Sequence, residues 1–396
     1  MSEWKQCLLG SIAEVQTGPF GSQLKNEQYI TGGTPVITVE HINAFRIQNI
    51  DYPSVTEADR KRLERYSLNA GDIVFTRVGS VDLSAYVKPE NQGWLFSSRM
   101  LRVRVSTVEV DPLFLSYFFR QEKFREYILN IAVGATMPSI NTQILKDIPI
   151  SYPPLPEQKA IASVLSSLDN KIDLLHRQNK TLEAMAETLF RQWFIEGAKE
   201  DWEETKVLDV FSLVGGGTPK TSEATYWDGD IPWLSGGDIA NAHQGFLVSA
   251  EKSITALGLD KSSTKLLPKL ASVISARGTV GKYAMLSRPM TFSQSNYGIL
   301  PKGHQYYYFV YLLLAYIVDE LLAAAYGSVF DTITTRTFED VGIKLPSMDI
   351  VAKFESEIAP IFEKKLNNVE QIQTLEKLRD TLLPKLMNGE VTVKWG

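Results

Sequence analysis

The sequence predicts an α+β protein made of two similar halves, and three observations support this prediction. A segment that begins at Gly134 can be laid without a gap on one that begins 193 residues later, at Gly327. Short strand patterns bounded by Gly, Pro and Asn precede each copy of this segment. Each copy then ends in a long stretch of apolar residues at helical spacing. A period of this length excludes a solenoid of short repeats and implies a pseudo-twofold duplication.

Each half is predicted to contain short strands followed by an apolar helix. The predicted strands lie at 35–40, 72–76 and 101–105 in the first half, and at 272–275 and 290–293 in the second. The apolar helices are predicted at about 112–131 and 306–326. The most apolar stretch, 306–318, has 13 residues, fewer than the roughly 20 that span a bilayer. We therefore expect a buried helix there and no membrane partner.

A long amphipathic helix is predicted to follow each set of strands. Apolar residues from 161 to 193 alternate in steps of four and three, which forms a heptad seam interrupted only at Asn179. The predicted seam consists of Ile161, Leu165, Leu168, Ile172, Leu175, Leu182, Ala186, Leu189 and Trp193. A helix over 157–194 would be about 57 Å long. The second copy, at about 350–387, places Lys365, Asn368 and Arg379 in its seam.

Neither long helix can bury its apolar stripe alone, so an antiparallel pair is the predicted arrangement. Asn179, Lys365, Asn368 and Arg379 would then set the register of that pair. The alternative is that each helix packs only on its own globular domain. With paired helices, the prediction is two similar domains in a pseudo-twofold repeat, separated by two long antiparallel helices that form a coiled coil.

Composition limits the classes of protein that the chain can belong to. Its 396 residues favour two domains, and its 41 Lys and Arg against 46 Asp and Glu give a net charge of -5. This balance argues against nucleic-acid binding through a basic tail. The single cysteine, Cys7, excludes internal disulfides and a thiolate metal cluster. We therefore expect a cytoplasmic protein.

The sequence contains no convincing catalytic or metal-binding motif. The segment 215–221 is rich in glycine, but Pro219 removes an amide donor that a phosphate-binding loop would use. The four histidines lack the spacing of a zinc site. The segment Glu157-Gln158-Lys159 faintly resembles a nuclease motif, but its Glu157 and Lys159 open the first long helix, so a solvated helix start is expected rather than a nuclease site. We predict no catalytic residue and no metal ligand.

A glycine-bearing polar segment follows a predicted strand in both halves. It reads Arg-Val-Gly-Ser at 77–80 and Arg-Gly-Thr-Val-Gly-Lys at 277–282, so the sequence aligns Arg77 with Arg277. Glycine lets a backbone approach a partner closely, and Arg, Lys and hydroxyl groups match phosphate oxygens and base edges. These segments are therefore the predicted nucleic-acid contacts.

Four segments resemble the specificity (S) subunits of type I restriction-modification systems. Pro-Pro-Leu-Pro-Glu-Gln-Lys at 153–159 resembles the entry to the family's first conserved helix, and 181–190 resembles the end of that helix. Residues 382–390 resemble the C-terminal conserved region. Residues 216–219 together with 226–233 resemble the start of a target recognition domain. The first half departs from this pattern with Gly-Pro-Phe-Gly-Ser at 18–22, as expected if the two domains read different targets.

The resemblance implies how the chain is organised and with what it assembles. It implies target recognition domains at 1–155 and 199–347, conserved long helices at 156–198 and 348–388, and a C-terminal tail at 389–396. Each recognition domain would read one half of a bipartite asymmetric DNA target, and the helices would set the spacer. The partners would be double-stranded DNA, two modification methyltransferase subunits and a restriction endonuclease subunit. The chain would be no enzyme and bind no cofactor, since S-adenosylmethionine, ATP and Mg²⁺ would belong to partner subunits.

Loop position, residue type and the repeat select the candidate DNA contacts. They are Lys25, His41, Arg77, Ser80 and Arg99 in the first domain, and Lys220, Ser235, Arg277, Thr279, Lys282, Gln294 and Asn296 in the second. The structural alternatives are a salt bridge for Arg99, a turn for Ser235 and a strand-end cap for Asn296.

Two other classes of function stay open at this point. One is a protein-interaction scaffold with duplicated binding domains, and the other is an enzyme with its own active site. Residues 1–150 hold 16 basic and 16 acidic residues, and residues 201–346 hold 12 and 15. Because neither half is a polycation, we expect the isolated chain to bind DNA weakly and the assembly to bind it tightly.

Overall fold

The computed structural model describes residues 4–48, 50–134, 136–326 and 332–393. Gly327, where the second copy of the repeat begins, and the last three residues of the predicted tail lie outside these ranges. The described residues divide into two compact units, Met1–Asn170 with Glu376–Gly396, and Lys171–Leu375. Both dividing points fall inside the long helices, whereas the predicted domain boundaries, which stay predictions, fall at the helix starts.

The first unit contains the following elements in chain order: β1 Lys5–Leu8, α1 Leu9–Ile12, β2 Ala13–Thr17, β3 Thr34–Ile37, β4 Ile42–Asn43, β5 Arg46–Ile47, β6 Ser54–Val55, α2 Glu57–Arg62, β7 Ile73–Thr76, β8 Ser84–Tyr86, β9 Leu95–Phe96, β10 Met100–Val105, α3 Pro112–Phe118, α4 Glu122–Ile131, α5 Thr142–Lys146 and β11 Pro149–Tyr152. Helix α6, Leu155–Arg191, follows and ends in a π-helical turn, Gln192–Glu196.

The main sheet of the first unit has the strand order β2-β10-β7-β8, and all its pairs are antiparallel. A smaller sheet has the order β6-β3-β9, and β4 pairs with β5 as a hairpin. The central strand β7 is apolar and buried on both faces. Ile73 and Phe75 pack into the core that contains α3 and α4, whereas Val74 packs into the core beneath the small sheet. The alternation of side chains along one strand therefore joins two hydrophobic cores.

The second unit repeats this plan with the following elements: β12 Glu203–Lys206, α7 Val207–Val210, β13 Phe211–Gly215, β14 Trp227–Leu234, α8 Gly236–Asn241, β15 Phe246–Leu247, β16 Lys252–Ile254, α9 Ala256–Asp260, β17 Ser272–Ser275, β18 Tyr283–Leu286, β19 Thr291–Phe292, β20 Asn296–Pro301, α10 Tyr307–Tyr326, α11 Thr335–Glu339, β21 Gly342–Leu345 and α12 Met348–Met387. Its main sheet has the order β13-β20-β17-β18-β15, and its smaller sheet has the order β16-β14-β19. The α+β class is therefore confirmed.

The predicted apolar helix is present in the second unit and interrupted in the first. In the second unit α10 is continuous, and although it is apolar enough to cross a membrane, Phe309, Tyr311 and Leu313 are buried in the core. In the first unit the predicted helix at 112–131 is wrong, because it breaks into α3 and α4 at an extended Gln121. The break brings the Phe119 ring 4.9 Å from the Phe124 ring, so aromatic packing outweighs helix continuity.

The two long helices run antiparallel within each unit. In the second unit Asn368 Nδ2 of α12 donates to Asn179 Oδ1 of α6 at 2.9 Å, and Ile372 packs with Ile172 and Leu175. In the first unit Leu165 of α6 shares a core with Leu383, Leu386 and Met387 near the end of α12. The predicted pairing of the helices is confirmed. The register role of Asn179 and Asn368 stays a prediction, which their hydrogen bond supports.

The apolar seam of α6 shifts by one residue along its length. Leu182, Leu189 and Trp193 are only partly buried, whereas Glu183, Phe190 and Phe194 are buried beside Ala186. The predicted seam is wrong here because a straight helix of 3.6 residues per turn drifts away from a heptad repeat. The expectation of a solvated start to α6 is wrong for Glu157, which is 4% exposed, and confirmed for the exposed Lys159. Gln158 is fully buried, and its side chain accepts from the Asp111 amide and donates to the carbonyl oxygens of Glu109 and Pro153.

Candidate nucleic-acid interface

In the first unit three loops meet at one end of the main sheet. They follow β2 and β7 and precede β10, and backbone hydrogen bonds hold them together. The Gly18 amide donates to the Met100 carbonyl oxygen at 3.3 Å, and the Arg77 amide donates to the Arg99 carbonyl oxygen at 2.8 Å. This strand-end surface of the first unit comprises residues 18–20, 77–80 and 97–99.

A glycine permits the close approach of the first loop in each unit. A Cβ atom on Gly18 would overlap the Ser97 carbonyl group, and a Cβ atom on Gly216 would overlap the Ser293 carbonyl oxygen. No other residue fits without moving the backbone of the neighbouring loop. The two units therefore use the same packing to bring their first loop beside the start of β10 or β20.

Arg77 and Phe20 form an aromatic and cationic pair on the first surface. The Arg77 guanidinium lies 5.8 Å from the centre of the Phe20 ring, and its Nη1 donates to the Ser98 carbonyl oxygen at 3.3 Å. Arg77 Nε is buried and has no hydrogen-bond partner among the described residues. Phe20 is 53% exposed. An exposed phenyl ring held beside an arginine suits stacking against a base or a sugar.

Phe20 is a candidate contact that the sequence analysis missed, although an aromatic residue between Pro19 and Gly21 was a visible signal. Of the predicted contacts, the structure brings Arg77, Ser80 and Arg99 together, and Ser80 and Arg99 are exposed. Lys25 and His41 belong to the segment between β2 and β4. Lys25 is exposed.

His41 occupies a structural position inside the first unit. Its ring is 1% exposed, stacks on Tyr52 at 4.6 Å and accepts a hydrogen bond from the Thr38 amide at Nδ1. Burial and these contacts leave its ring no open edge for a base. The geometry therefore supports a structural role for His41.

The second unit has an equivalent surface with different side chains. The Ala276 amide donates to the Ser295 carbonyl oxygen at 2.9 Å, as Arg77 does to Arg99. Thr218 hydrogen-bonds to Gln294 across the first and third loops. The strand-end surface of the second unit comprises residues 216–218, 276–282 and 293–295. Arg277, Lys282 and Gln294 are exposed on it.

The sequence alignment of Arg77 with Arg277 is wrong by one residue. Strand pairing places Thr76 opposite Met100 and Ser275 opposite Asn296, which makes Ala276 the structural counterpart of Arg77. The amides of Ile140 and Ile333 donate to the carbonyl oxygens of Arg77 and Ala276 respectively, in agreement with this register. Because side chains alternate along a strand, a slip of one residue changes the direction of the side chain. Arg277 therefore lies one position further along its loop than Arg77.

Three of the predicted residues in the second unit have local structural partners. Ser235 caps α8, where its Oγ accepts from the Asp238 amide at 3.2 Å. Thr279 Oγ1 donates to the Gly236 carbonyl oxygen at 3.0 Å. Asn296 is 1% exposed, and its Nδ2 donates to Ser293 Oγ at 2.9 Å. The structural alternatives named for Ser235 and Asn296 are thus the ones that the contacts support. Lys220 is exposed and lies 3.5 Å from Glu223.

The charged residues predicted in the helix seam form ion pairs, one buried at Lys365 and one partly buried at Arg379. Arg379 Nη1 lies 3.1 Å from Asp169 Oδ1 in the first unit, and Lys365 pairs with Glu183 in the second. Burial lowers the pKa of Lys365 below its usual 10.5, although the Glu183 carboxylate acts in the opposite direction. Burial alone would raise the pKa of Asp169, but Arg120, Tyr117 and Arg379 outweigh it and lower the pKa below 3.8.

The described residues contain no group of three or more His, Cys, Asp and Glu side chains arranged to hold a metal ion. What the fold presents twice is a sheet end with convergent loops that carry arginine, lysine, amide and hydroxyl groups. A protein of this class has two copies of one recognition module, each attached to a long helix.

Comparison with known proteins identifies the family to which the chain belongs. The family model described as "Type I restriction modification DNA specificity domain" matches residues 1–184 and 199–379, so the chain belongs to this family. The match occurs twice, as the internal repeat requires. The resemblance identified from sequence motifs is therefore confirmed.

Individual relatives match over nearly the whole chain. The MjaIX specificity subunit of a Methanocaldococcus jannaschii type I restriction enzyme is 27% identical, over 99% of this chain and 94% of the relative. The HindI specificity subunit of Haemophilus influenzae is 24% identical, over 99% and 100% of the two chains. The crystal structure of an S subunit from M. genitalium aligns with a TM-score of 0.64 at 16% identity, over 100% and 97% of the chains. This last likeness shows the fold.

Proposed function

We propose that the chain selects DNA for a type I restriction-modification complex by reading one half of a bipartite asymmetric target with each recognition domain. The recognition domains are taken to span 1–155 and 199–347, and the helices at 156–198 and 348–388 set the unread spacer. Family membership supports a role in DNA recognition, and no observation favours a protein-interaction scaffold.

One observation carries the division into two half-targets. The two strand-end surfaces share their backbone arrangement but carry different side chains. The first has exposed Phe20 and Arg99 beside the partly buried Arg77, and the second has exposed Arg277, Lys282 and Gln294. Base-edge recognition depends on side-chain identity, whereas placement on the phosphate backbone depends on shared geometry. Two copies with the same frame and different side chains suit two unlike sequences.

In this proposal the chemistry belongs to other subunits. The chain assembles with two modification methyltransferase subunits and a restriction endonuclease subunit, and S-adenosylmethionine, ATP and Mg²⁺ bind to those partners in the cytoplasm. The near-balanced charge of both domains supports this division, because the partners would supply much of the phosphate attraction.

A matched insertion in both long helices tests the spacer function. Four residues inserted after Gln178 in α6, with four inserted after Asn368 in α12, keep the contact between Asn179 and Asn368 and lengthen the pair by about 6 Å. Because B-DNA rises about 3.4 Å per base pair, the methylated motif should gain one or two base pairs of spacer with both half-sites unchanged. Methylated-base mapping of cells that carry the cognate methyltransferase measures this motif.

The control for this experiment replaces Gln178 without an insertion, which leaves the helix length unchanged. An inserted chain that still directs methylation of the original motif would contradict the spacer function. Loss of all methylation by a chain that remains folded would show that the helices also make contacts needed for assembly. It would contradict the proposal that they only set the spacer length.

A further inference from the structure

In each unit a buried carboxylate of α6 contacts both a tyrosine and a cation of α12. In the first unit Asp169 accepts a hydrogen bond from Tyr117 Oη at 2.7 Å and pairs with Arg379 of α12. In the second unit Glu183 accepts a hydrogen bond from Tyr311 Oη at 2.7 Å and pairs with Lys365 of α12. Both tyrosines lie on the apolar helix that follows the main sheet. The same arrangement of carboxylate, tyrosine and α12 cation thus occurs twice with different residue types.

In the first unit the contacts continue from Asp169 to the strand-end surface. Arg120 Nη1 lies 2.7 Å from Asp169 Oδ2. The guanidinium groups of Arg120 and Arg125 lie 5.7 and 5.5 Å from the centre of the Phe45 ring. Arg125 Nη2 then donates to Asp82 Oδ2 at 2.6 Å. Asp82 lies in the loop between β7 and β8, two residues after Ser80, so this chain of contacts reaches the predicted DNA-binding loop.

In the second unit a different set of contacts reaches the equivalent loop. The Tyr311 ring packs on the Tyr283 ring with 5.6 Å between centres. Lys365 Nζ donates to the Gln244 carbonyl oxygen at 2.6 Å, and the Gln244 side chain contacts Tyr283 Oη at 3.4 Å. Tyr283 is the first residue of β18 and directly follows Lys282. The loop between β17 and β18 is therefore attached to the long helices as well.

The backbone of the hairpin turn at Phe45 favours glycine, which indicates that the phenylalanine ring has a role through its contacts. Ala44 and Phe45 have φ values of 46° and 61°, in the left-handed region that glycine adopts most easily. A phenylalanine in this conformation is strained, and glycine would relieve the strain. The ring of Phe45 instead joins Arg120 and Arg125, and Arg46 in the same hairpin lies 3.5 Å from Asp169.

We propose that these two sets of contacts are positioning networks, which fix each DNA-reading loop relative to the long helices and so restrict the separations of half-sites that the protein accepts. The inference rests on the proposed function. Asp169, Phe45 and Arg125 are positioning residues in the first network, and Glu183, Lys365 and Tyr311 are positioning residues in the second. Loosening a network should broaden the range of accepted spacers without changing either half-site.

The variant Phe45→Gly tests the first network with a matched control. Glycine suits the left-handed turn, so the hairpin keeps its backbone while the link between Arg120 and Arg125 is lost. The control is Ala44→Gly, which relaxes the same turn and removes only an exposed methyl group. A difference between the two variants therefore reports the contacts of the Phe45 ring.

The first measurement is hydrogen exchange of the full chain without DNA. In the loop between β7 and β8, the amides of Val81 and Leu83 donate to carbonyl oxygens of the same loop, and the Gly79 amide donates to the carbonyl oxygen of Pro138. In Phe45→Gly they should exchange about threefold faster or more than in the wild type, because loosening lowers the local cost of opening. In Ala44→Gly they should keep the wild-type rate. Unchanged exchange in Phe45→Gly would overturn the network, whatever the chain recognises.

The second measurement is methylated-base mapping with the cognate methyltransferase. In Phe45→Gly the ratio of methylated sites with a spacer one base pair too long or too short to sites with the native spacer should rise about threefold or more. A loss of stability alone would lower methylation at all spacers and leave this ratio unchanged. A bipartite motif with an unchanged ratio would overturn the positioning role, whereas a wild-type chain that directs no bipartite motif would contradict the proposed function instead.

The second network has an equivalent test. Glu183→Gln combined with Lys365→Met removes both buried charges and keeps an acceptor for Tyr311, and such neutral replacements are commonly tolerated. The control is Lys364→Met, at an exposed position next in the chain. The double variant should broaden the spacer range while Lys364→Met keeps it narrow. An unchanged range in a folded double variant would overturn the second network.

Discussion

The two strand-end surfaces have the same backbone plan and different chemistry. In the first unit a partly buried arginine, Arg77, lies against an exposed ring, Phe20. In the second unit Ala276 takes the place of Arg77, and the exposed groups are Arg277, Lys282 and the amide of Gln294. The first surface presents an aromatic ring beside one partly buried guanidinium, and the second presents exposed cationic and amide groups.

This difference shows which parts of the module are fixed by packing and which are free to specify a target. The glycine approach at Gly18 and Gly216 and the loop hydrogen bonds recur, because without them the three loops would not meet. The exposed side chains differ, because nothing in the core constrains them. Substitutions on the two surfaces should therefore affect DNA binding in different ways.

The largest expected effect is the loss of DNA-binding free energy in Arg277→Ala, and Arg77→Ala is the variant to compare with it. Loss of the exposed Arg277 should cost about 1–3 kcal/mol of DNA-binding free energy and relax one position of the second half-site, with no change in unfolding temperature. Arg77→Ala should weaken DNA binding too, but it should also destabilise the first unit by about 1 kcal/mol, because it loses the Ser98 hydrogen bond and the Phe20 contact.

Fluorescence anisotropy of the methyltransferase complex on labelled target DNA measures the binding, and thermal unfolding measures the stability. If Arg277→Ala leaves DNA affinity and the methylated motif unchanged, the assignment of the second surface is wrong. If Arg77→Ala leaves stability unchanged, the two arginines do not differ in the way that their burial indicates.

A smaller effect is expected on the salt dependence of DNA affinity, which should distinguish the aromatic residue of the first surface from a lysine of the second unit. Phe20→Ala should weaken DNA binding by about 1 kcal/mol at every salt concentration, because it removes a stacking contact. Lys220→Ala should lower the slope of affinity against salt by about one, because it removes a single phosphate contact. Anisotropy titrations across a series of salt concentrations distinguish the two, and a salt-dependent effect of Phe20→Ala would contradict stacking.

The smallest expected effect is on the pH dependence of stability, where the two buried carboxylate clusters differ. The lowered pKa of Asp169 means that its stabilisation is full above its usual value of 3.8 and is lost as the pH falls through the lowered value. The lowered pKa of Lys365 means that stability rises with pH between that lowered value and 10.5. Asp169→Asn should therefore flatten the acid side of the stability profile, and Lys365→Met the alkaline side.

Urea unfolding at a series of pH values measures these profiles. Lys364→Met serves as the control, since an exposed lysine should leave the alkaline side unchanged. An acid profile that is the same with and without Asp169 would contradict the charge balance described for its cluster.

The features that could be predicted from sequence are those that local pattern determines. The heptad spacing of apolar residues predicted the long helices, and the glycine-bearing segments predicted the loops of Arg77 and Arg277. The register between these loops could not be derived, because hydrogen bonding to β10 and β20 decides it and no spacing along the chain reports it. The buried seam of α6 also departs from the heptad, with Glu183 and Phe190 in place of Leu182 and Leu189.

Local sequence pattern gives even less information about the partners of the charged seam residues. Arg379 and Lys365 were predictable as polar residues in the seam, but their carboxylate partners lie 210 and 182 residues away. Only the packed fold shows that Asp169 also binds Tyr117 and Arg120. The buried position of His41 could not be predicted for the same reason, since burial depends on contacts that form across the unit.

The buried cluster around Asp169 also limits how freely this protein can be re-engineered. Transplanting a foreign recognition domain onto these helices would remove Tyr117 and Arg120 while leaving Asp169 and Arg379 in place. The chimera would then leave these charges without the hydrogen-bond and ion-pair partners that the native domain provides, unless the foreign domain contains equivalent residues. Chimeras should therefore be cut so that the apolar helices after the sheet and the hairpin of Phe45 move as one piece.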